Sequence, residues 1–164
     1  MDYHIRKVKG KDKEQIISIF NYYVENSYAA YPEHKVDLSF FDKLKELATG
    51  YPLYVIDTPK GEIVGFGLMR PYHSFETFRR TAKLTYFLHP AHTRKGLGTK
   101  LVSAFTKKAK EIGIDTLLAD MSSRNTASID FHKKNGFQEC GRFKRVGKKF
   151  GRDFDLVWMQ KFIN

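Results

Sequence analysis

The chain is poor in cysteine, tryptophan and negative charge, and each shortage closes off a class of answers. A single cysteine, Cys140, rules out an intrachain disulfide framework and points to a reducing compartment. Neither Cys140 nor any of the 6 histidines sits in a cluster with zinc-like spacing, so no metal site is expected. With nothing in the sequence to activate it, Cys140 is expected to pack in the core. No run approaches the roughly 18 apolar residues that a membrane span requires. The opening stretch "MDYHIRKVKGKDKEQ" offers no apolar segment to act as a signal peptide. A cytoplasmic protein without membrane contact is the expectation. Repeats, linkers and low-complexity tracts are missing too.

Acidic residues are the other shortage: 18 Asp and Glu stand against 29 Lys and Arg, a formal charge of +11. Such an excess suits an anionic partner, whether nucleic acid, an anionic membrane face or a phosphorylated small molecule. The lysines are scattered along the whole chain, which equally describes an ordinary basic protein. What is present is enough for one domain with a real core: 164 residues, 41% hydrophobic and 15% aromatic. A single domain over residues 1–164 is expected.

Hydrophobic periodicity orders the elements. "YHIRKV" alternates as a strand. Ile16, Ile17, Ile19, Phe20 and Tyr23 recur at helical spacing, and Asp37 or Ser39 is placed to cap a second helix carrying Phe40, Phe41, Leu44 and Leu47. "LYVID" and "IVGFGLM" form a hairpin. "RPYHSFETFRR" reads as a long aromatic loop of the kind that lines sites. "AKLTYFLHP" is a strand, "LGTKLVSAFTKKAKEIG" an amphipathic helix, and "IDTLLADM" a central, nearly all-apolar strand. A short helix in "SRNTASIDFHKKNG" precedes "FQECGRF", a basic turn "KRVGKKFGR" and a last strand "FDLVWMQKF". The order β-α-α-β-β-β-α-β-α-β-β, with hairpins and two βαβ-like crossovers, predicts one α/β (α+β mixed) domain around a mixed sheet.

The segment "HPAHTRKGLGTK" builds a helix entrance from glycines and cations. Exposed backbone N–H groups, the helix dipole and close backbone approach make such a turn a ready anion site, supplemented here by Arg94, Lys95 and Lys100. It is neither a Walker A loop nor the longer dinucleotide fingerprint, and taken alone it could be an ordinary tight turn.

Two motifs in order decide between these. "TRKGLG" is similar to the acyl-CoA motif [QR]-x-x-G-x-[GA] of the GNAT-superfamily acetyltransferases, and "NTASIDFHKKNGF" resembles a second block of that superfamily. "VGKKFGRDFDLVWMQ" and the segment from Gly67 to Pro90 resemble the phosphinothricin-acetyltransferase-like amino-acid N-acyltransferases within it. The resemblance implies a mostly antiparallel sheet of about seven strands flanked by about four helices. It also implies acetyl-CoA as co-substrate, a small-molecule amine as acceptor, and a homodimer as a possible assembly.

Carried over residue by residue, it assigns the CoA pyrophosphate to the backbone of Arg94, Lys95, Gly96, Leu97, Gly98 and Thr99. Thr93 replaces the usual long polar side chain ahead of them. The pantetheine arm falls to the strand backbone at Tyr86, Phe87 and Leu88 and to Asn125, for which a helix cap is the other reading. His132 stands where relatives carry a tyrosine or histidine that protonates the leaving thiolate, although a space-filling helix histidine would look the same.

On the acceptor side the chain departs from the pattern. Lys83 occupies the place of the branch's glutamate base, and Phe75 the place of its loop arginine. Lys83 could bind an acceptor carboxylate. Asp120, acidic in an otherwise apolar strand, is the replacement base, or else a strand-end aspartate that bonds the next turn. Glu76 and His73 are further candidates for the base. Tyr31, His73, Ser74, Phe75, Lys83, Leu84 and Thr85 are the expected acceptor contacts, with Tyr28, Tyr72 and Phe78 adding aromatic surface. Two alternatives stay open. One is a GNAT-like protein that binds CoA without catalysis. The other is a basic nucleic-acid-binding module using "RKGLGTK", "TKKAK" and "FKRVGKKFGR" with Phe143 and Phe150.

Overall fold

A computed structural model describes residues 2–164. The strands are β1 (His4–Lys7), β2 (Leu53–Asp57), β3 (Ile63–Pro71), β4 (Thr81–Leu88), β5 (Thr116–Ser122), β6 (Gln138–Lys149) and β7 (Arg152–Phe162). The helices are α1 (Lys13–Asn26), α2 (Phe40–Leu47), α3 (Leu97–Glu111) and α4 (Thr126–Lys134). The strands form one seven-stranded sheet in the order β1-β2-β3-β4-β5-β7-β6, antiparallel except at β4–β5. This is the mixed, mostly antiparallel α/β architecture that the sequence predicts.

Each face of the sheet is covered by the helices whose apolar stripes fit it. Ile16, Ile17, Phe20 and Val24 of α1 and Phe41 and Leu44 of α2 bury against Val55, Ile63, Phe66 and Leu68. On the other face Leu97, Leu101, Val102, Phe105 and Ala109 of α3 pack over Val64, Met69, Leu84, Leu117, Ala119 and Val157. Full burial of each such side chain stabilises by about 1.5–3 kcal/mol. Gly67 is needed for this closeness: a Cβ there would lie 2.9 Å from Tyr86 Cβ and 3.0 Å from Phe105 Cε2.

Three expectations change. Only one βαβ crossover gives a hydrogen-bonded parallel pair, β4-α3-β5, because β7 inserts between β5 and β6. The basic segment from Lys144 to Lys149 is strand, kinked by left-handed Arg145 (φ 54°) and a register shift, and the turn is confined to Phe150 and Gly151. Cys140 is exposed on the outer strand β6, since an edge strand with so little apolar patterning presents side chains to solvent. At α2, Ser39 takes the N-cap position without a side-chain cap bond, and the Asp37 carboxylate accepts from the Ser39 N–H at 3.0 Å.

The feature that positions the site is a split in the sheet. β4 and β5 pair only through Thr81–Thr116, Ala82–Leu117 and Lys83–Leu118, yet β4 runs on to Leu88 and β5 to Ser122. Beyond Lys83 the two strands part, leaving the β5-facing edge of β4 without a strand partner while its other edge stays paired with β3.

Candidate active site

A cavity of about 280 Å³ fills this split and reaches both faces of the sheet. Strand parity sorts its walls. Register pairs Arg70 with Lys83, Leu68 with Thr85 and Phe66 with Phe87, so these six share the α1/α2 face. Tyr86 belongs to the opposite face, with His132 and Phe131 of α4.

On the α1/α2 face, Lys83 Nζ lies 2.9 Å from Asp120 Oδ1, with the two side chains 18% and 10% exposed. The ammonium also sits 5.3 Å from the ring of Trp158, a cation–π contact. The other carboxylate oxygen, Oδ2, lies 3.5 Å from the Tyr31 hydroxyl, so its lone pairs remain available to a third group. Burial and the Asp120 charge hold the Tyr31 hydroxyl protonated well above the ordinary phenol range. The Lys83 charge is thus balanced by Asp120.

On the opposite face, His132 is 4% exposed. Its Nδ1 lies 2.7 Å from the Ser128 carbonyl, which accepts the Nδ1 proton and leaves Nε2 to accept from the Tyr86 hydroxyl. Burial pushes the imidazole below its ordinary 6.5, partly offset by the Ser128 carbonyl. The proton that this pair presents sits on Tyr86, not on His132. The sign for stability follows: the unfolded chain takes up a proton near pH 6.5 and the folded one only below that. The melting temperature should fall on acidification from pH 7.5 to 5.5, and His132→Gln should flatten that part of the profile in scanning calorimetry. An unchanged slope would show that His132 is not the group responsible.

Helix α3 begins at Gly96, whose φ of 78° is left-handed and whose Cβ position is open space. Arg94, at φ 59°, is left-handed too, which exposes the turn's N–H groups ahead of a 15-residue helix. Asn125 Oδ1 accepts from Ser128 N at 3.2 Å, so the cap reading describes its oxygen, and its side chain also lines the cavity. These groups fit a phosphorylated, extended ligand: an anion cradle at α3 and a bare strand edge leading inward.

Of the expected acceptor residues, Tyr31, Lys83, Leu84 and Thr85 line the cavity. His73, Ser74 and Phe75 do not; His73 and Phe75 stack on one another at 5.1 Å, with Phe75 70% exposed, outside the cavity. Glu76 in the same loop reaches Arg79 at 3.3 Å, leaving the Asp120 carboxylate as the acid at the cavity. The sequence reading missed Arg70, Phe20, Phe40 and Leu44, which complete the wall.

The Acetyltransferase (GNAT) family matches residues 16–137, the stretch that carries the split, the cradle and α4. The chain belongs to that family. It is 34% identical to the L-methionine sulfoximine/L-methionine sulfone acetyltransferase of Pseudomonas aeruginosa over 98% of this chain and 94% of that protein. A structure from Salmonella typhimurium, solved with its cofactor acetyl-CoA, superposes with a TM-score of 0.87 at 33% identity, covering 100% of this chain and 95% of that one. A Brucella melitensis structure named as a ribosomal-protein-alanine N-acetyltransferase gives 0.88 at 34% identity, covering 97% and 99%. Relatives of equal similarity thus carry names with different acceptors. Among the described residues of this GNAT protein, no helix is long and apolar enough to cross a membrane, and no cluster of three or more His, Cys, Asp or Glu could hold a metal.

Proposed function

We propose that this GNAT protein transfers the acetyl group of acetyl-CoA to the primary amine of a small amino-acid-like acceptor. The observation that carries the reading is the cavity in the β4–β5 split, walled by the free edge of β4 on one strand and by a carboxylate, Asp120, on the other.

Bound acetyl-CoA supplies the acetyl group as a thioester. Backbone N–H groups from Arg94 to Thr99 receive the pyrophosphate, with Arg94 and Lys95 adding positive field. The free edge of β4 at Tyr86, Phe87 and Leu88 pairs with the pantetheine arm as an added strand would, and the Asn125 amide is within the same cavity. A backbone N–H of β4 past Lys83 polarises the acetyl carbonyl. Asp120 Oδ2, free of the Lys83 ion pair, accepts the ammonium proton of the acceptor and leaves the amine able to attack. Attack forms the C–N bond, and as the adduct collapses the C–S bond breaks: the Tyr86 hydroxyl, held beside His132, gives its proton to the departing thiolate and takes in exchange the second proton of the attacking nitrogen. A homodimer is part of the same reading, supported by the exposed Phe143 and Val146 along the outer strand β6.

Acetyl-CoA at about 100 times its Kd should stabilise the fold by about 2.7 kcal/mol, seen as a raised Tm. The same sample should release free thiol with L-amino acids as acceptors. A missing shift would remove the acetyl-CoA reading. A shift without thiol release on any amine would leave a CoA binder and remove the transferase.

A further inference from the structure

The charges lining the cavity do not balance. Among its lining residues the ionised side chains are Arg70, Lys83 and Asp120, two cations against one carboxylate. Lys83 and Asp120 neutralise each other at 2.9 Å. His132 adds no charge, since burial holds it neutral. Arg70 is half-buried near the end of β3, and among the described residues it forms no ion pair. A guanidinium brought to a partly desolvated wall without a counter-ion loses hydration that a bound anion would restore.

Position narrows the choice of anion. Arg70 is the direct cross-strand partner of Lys83 on the same face, so their Cα atoms lie about 4.5–5.5 Å apart. The unclaimed cation thus lies two strands from the carboxylate at which the amine is deprotonated, with Lys83 on the strand between, and all three line one cavity. Farther along the same face, Leu68, Phe66, Phe20, Phe40 and Leu44 offer only apolar surface. Three demands follow in order: an amine at Asp120, an anion across β4 at Arg70, and an uncharged group against the aromatic wall.

We infer that Arg70 is the specificity-determining residue that binds the α-carboxylate of the acceptor, restricting acetylation to free α-amino acids with uncharged side chains. This rests on the acetyltransferase reading above. The planar fork of the guanidinium matches a carboxylate through two parallel hydrogen bonds, which an ammonium cannot reproduce. A peptide N-terminus carries an amide where this carboxylate would be, and leaves Arg70 unpaired. A polyamine does the same and adds positive charge.

The test compares L-methionine sulfone with its α-carboxamide on the wild type, Arg70→Gln and Arg70→Lys. Thiol release gives kcat and KM, and calorimetric titration into the protein loaded with CoA, which has no acetyl group to transfer, gives Kd without turnover. The wild type should favour the acid over the amide by on the order of 10–100-fold, mainly through KM and Kd. Arg70→Gln should collapse that ratio toward unity, and Arg70→Lys should restore part of it. The Tm rise with acetyl-CoA should be the same in all three proteins. A ratio that survives Arg70→Gln, a wild type that binds the amide as well as the acid, or a wild type that binds neither overturns the assignment. Failure of acetyl-CoA to raise Tm would instead strike the acetyltransferase reading itself.

Discussion

Asp120→Asn is expected to lower kcat/KM by on the order of 10²–10³-fold while leaving acetyl-CoA affinity in place. The asparagine keeps the size and one acceptor oxygen, so the cavity keeps its shape, but it cannot take the ammonium proton. Two roles could produce a loss. Asp120 could be the base, or it could merely neutralise Lys83, whose ammonium would otherwise stand uncompensated with only 18% of its side chain exposed. The double variant Asp120→Asn/Lys83→Met separates them. If neutralisation is the whole role, removing the lysine restores activity. If Asp120 is the base, the double variant stays as slow as the single one. The deficit should also shrink as pH rises toward the pKa of the acceptor amine, because the amine then arrives already deprotonated. A single variant with wild-type kcat/KM across pH would eliminate Asp120 as the base.

What was legible in the sequence follows from how local the signals are. Helices α1, α3 and α4 rest on apolar residues three and four apart, on Gly96 and on the Asn125 cap, all contained within one segment. The motif around Gly96 and Gly98 needs only a strand before it and a helix after it, and the structure supplies both. Arg70 was not legible because its meaning depends on register. Read along the chain, it closes an apolar strand and opens a polar loop. Only the hairpin pairing that sets Leu68 against Thr85 sets Arg70 against Lys83, on the cavity face. The opposite error has the same origin. Tyr72, His73, Phe75 and Phe78 look like pocket material by composition, but His73 stacks with Phe75 at 5.1 Å and with Phe78 at 4.7 Å, away from the cavity. Departures at Lys83 and Asp120 could each be seen in the sequence. Their union as one ion pair across the split could not, because β4 and β5 are joined through α3, and only the parallel register brings those positions together.

Lys149→Met is expected to lower Tm by about 5–15 °C and to weaken acceptor binding without moving acetyl-CoA affinity. Lys149 ends β6 and is 1% exposed. Its Nζ donates to the Ser27 and Ala30 carbonyls, each at 2.6 Å, and lies 4.9 Å from the Phe150 ring. Those carbonyls belong to the segment after α1 that carries Ala29, Ala30, Tyr31 and Pro32 into the cavity wall. The lysine is thus a strap from the β6–β7 hairpin to the acceptor side of the site. Methionine fills the space of the alkyl stem but leaves two carbonyls without a donor. Burying an ammonium is itself unfavourable, and burial holds this one below the ordinary lysine range. Part of the lost bonding is therefore offset by the removed desolvation. The unsatisfied carbonyls decide the sign, since each costs about 1–3 kcal/mol when its donor is deleted. Because the strap touches Tyr31 only through backbone, the kinetic signature should be a raised acceptor KM with kcat changed less. An equal loss of donor and acceptor affinity, or an unchanged Tm, would show that Lys149 does not hold this wall.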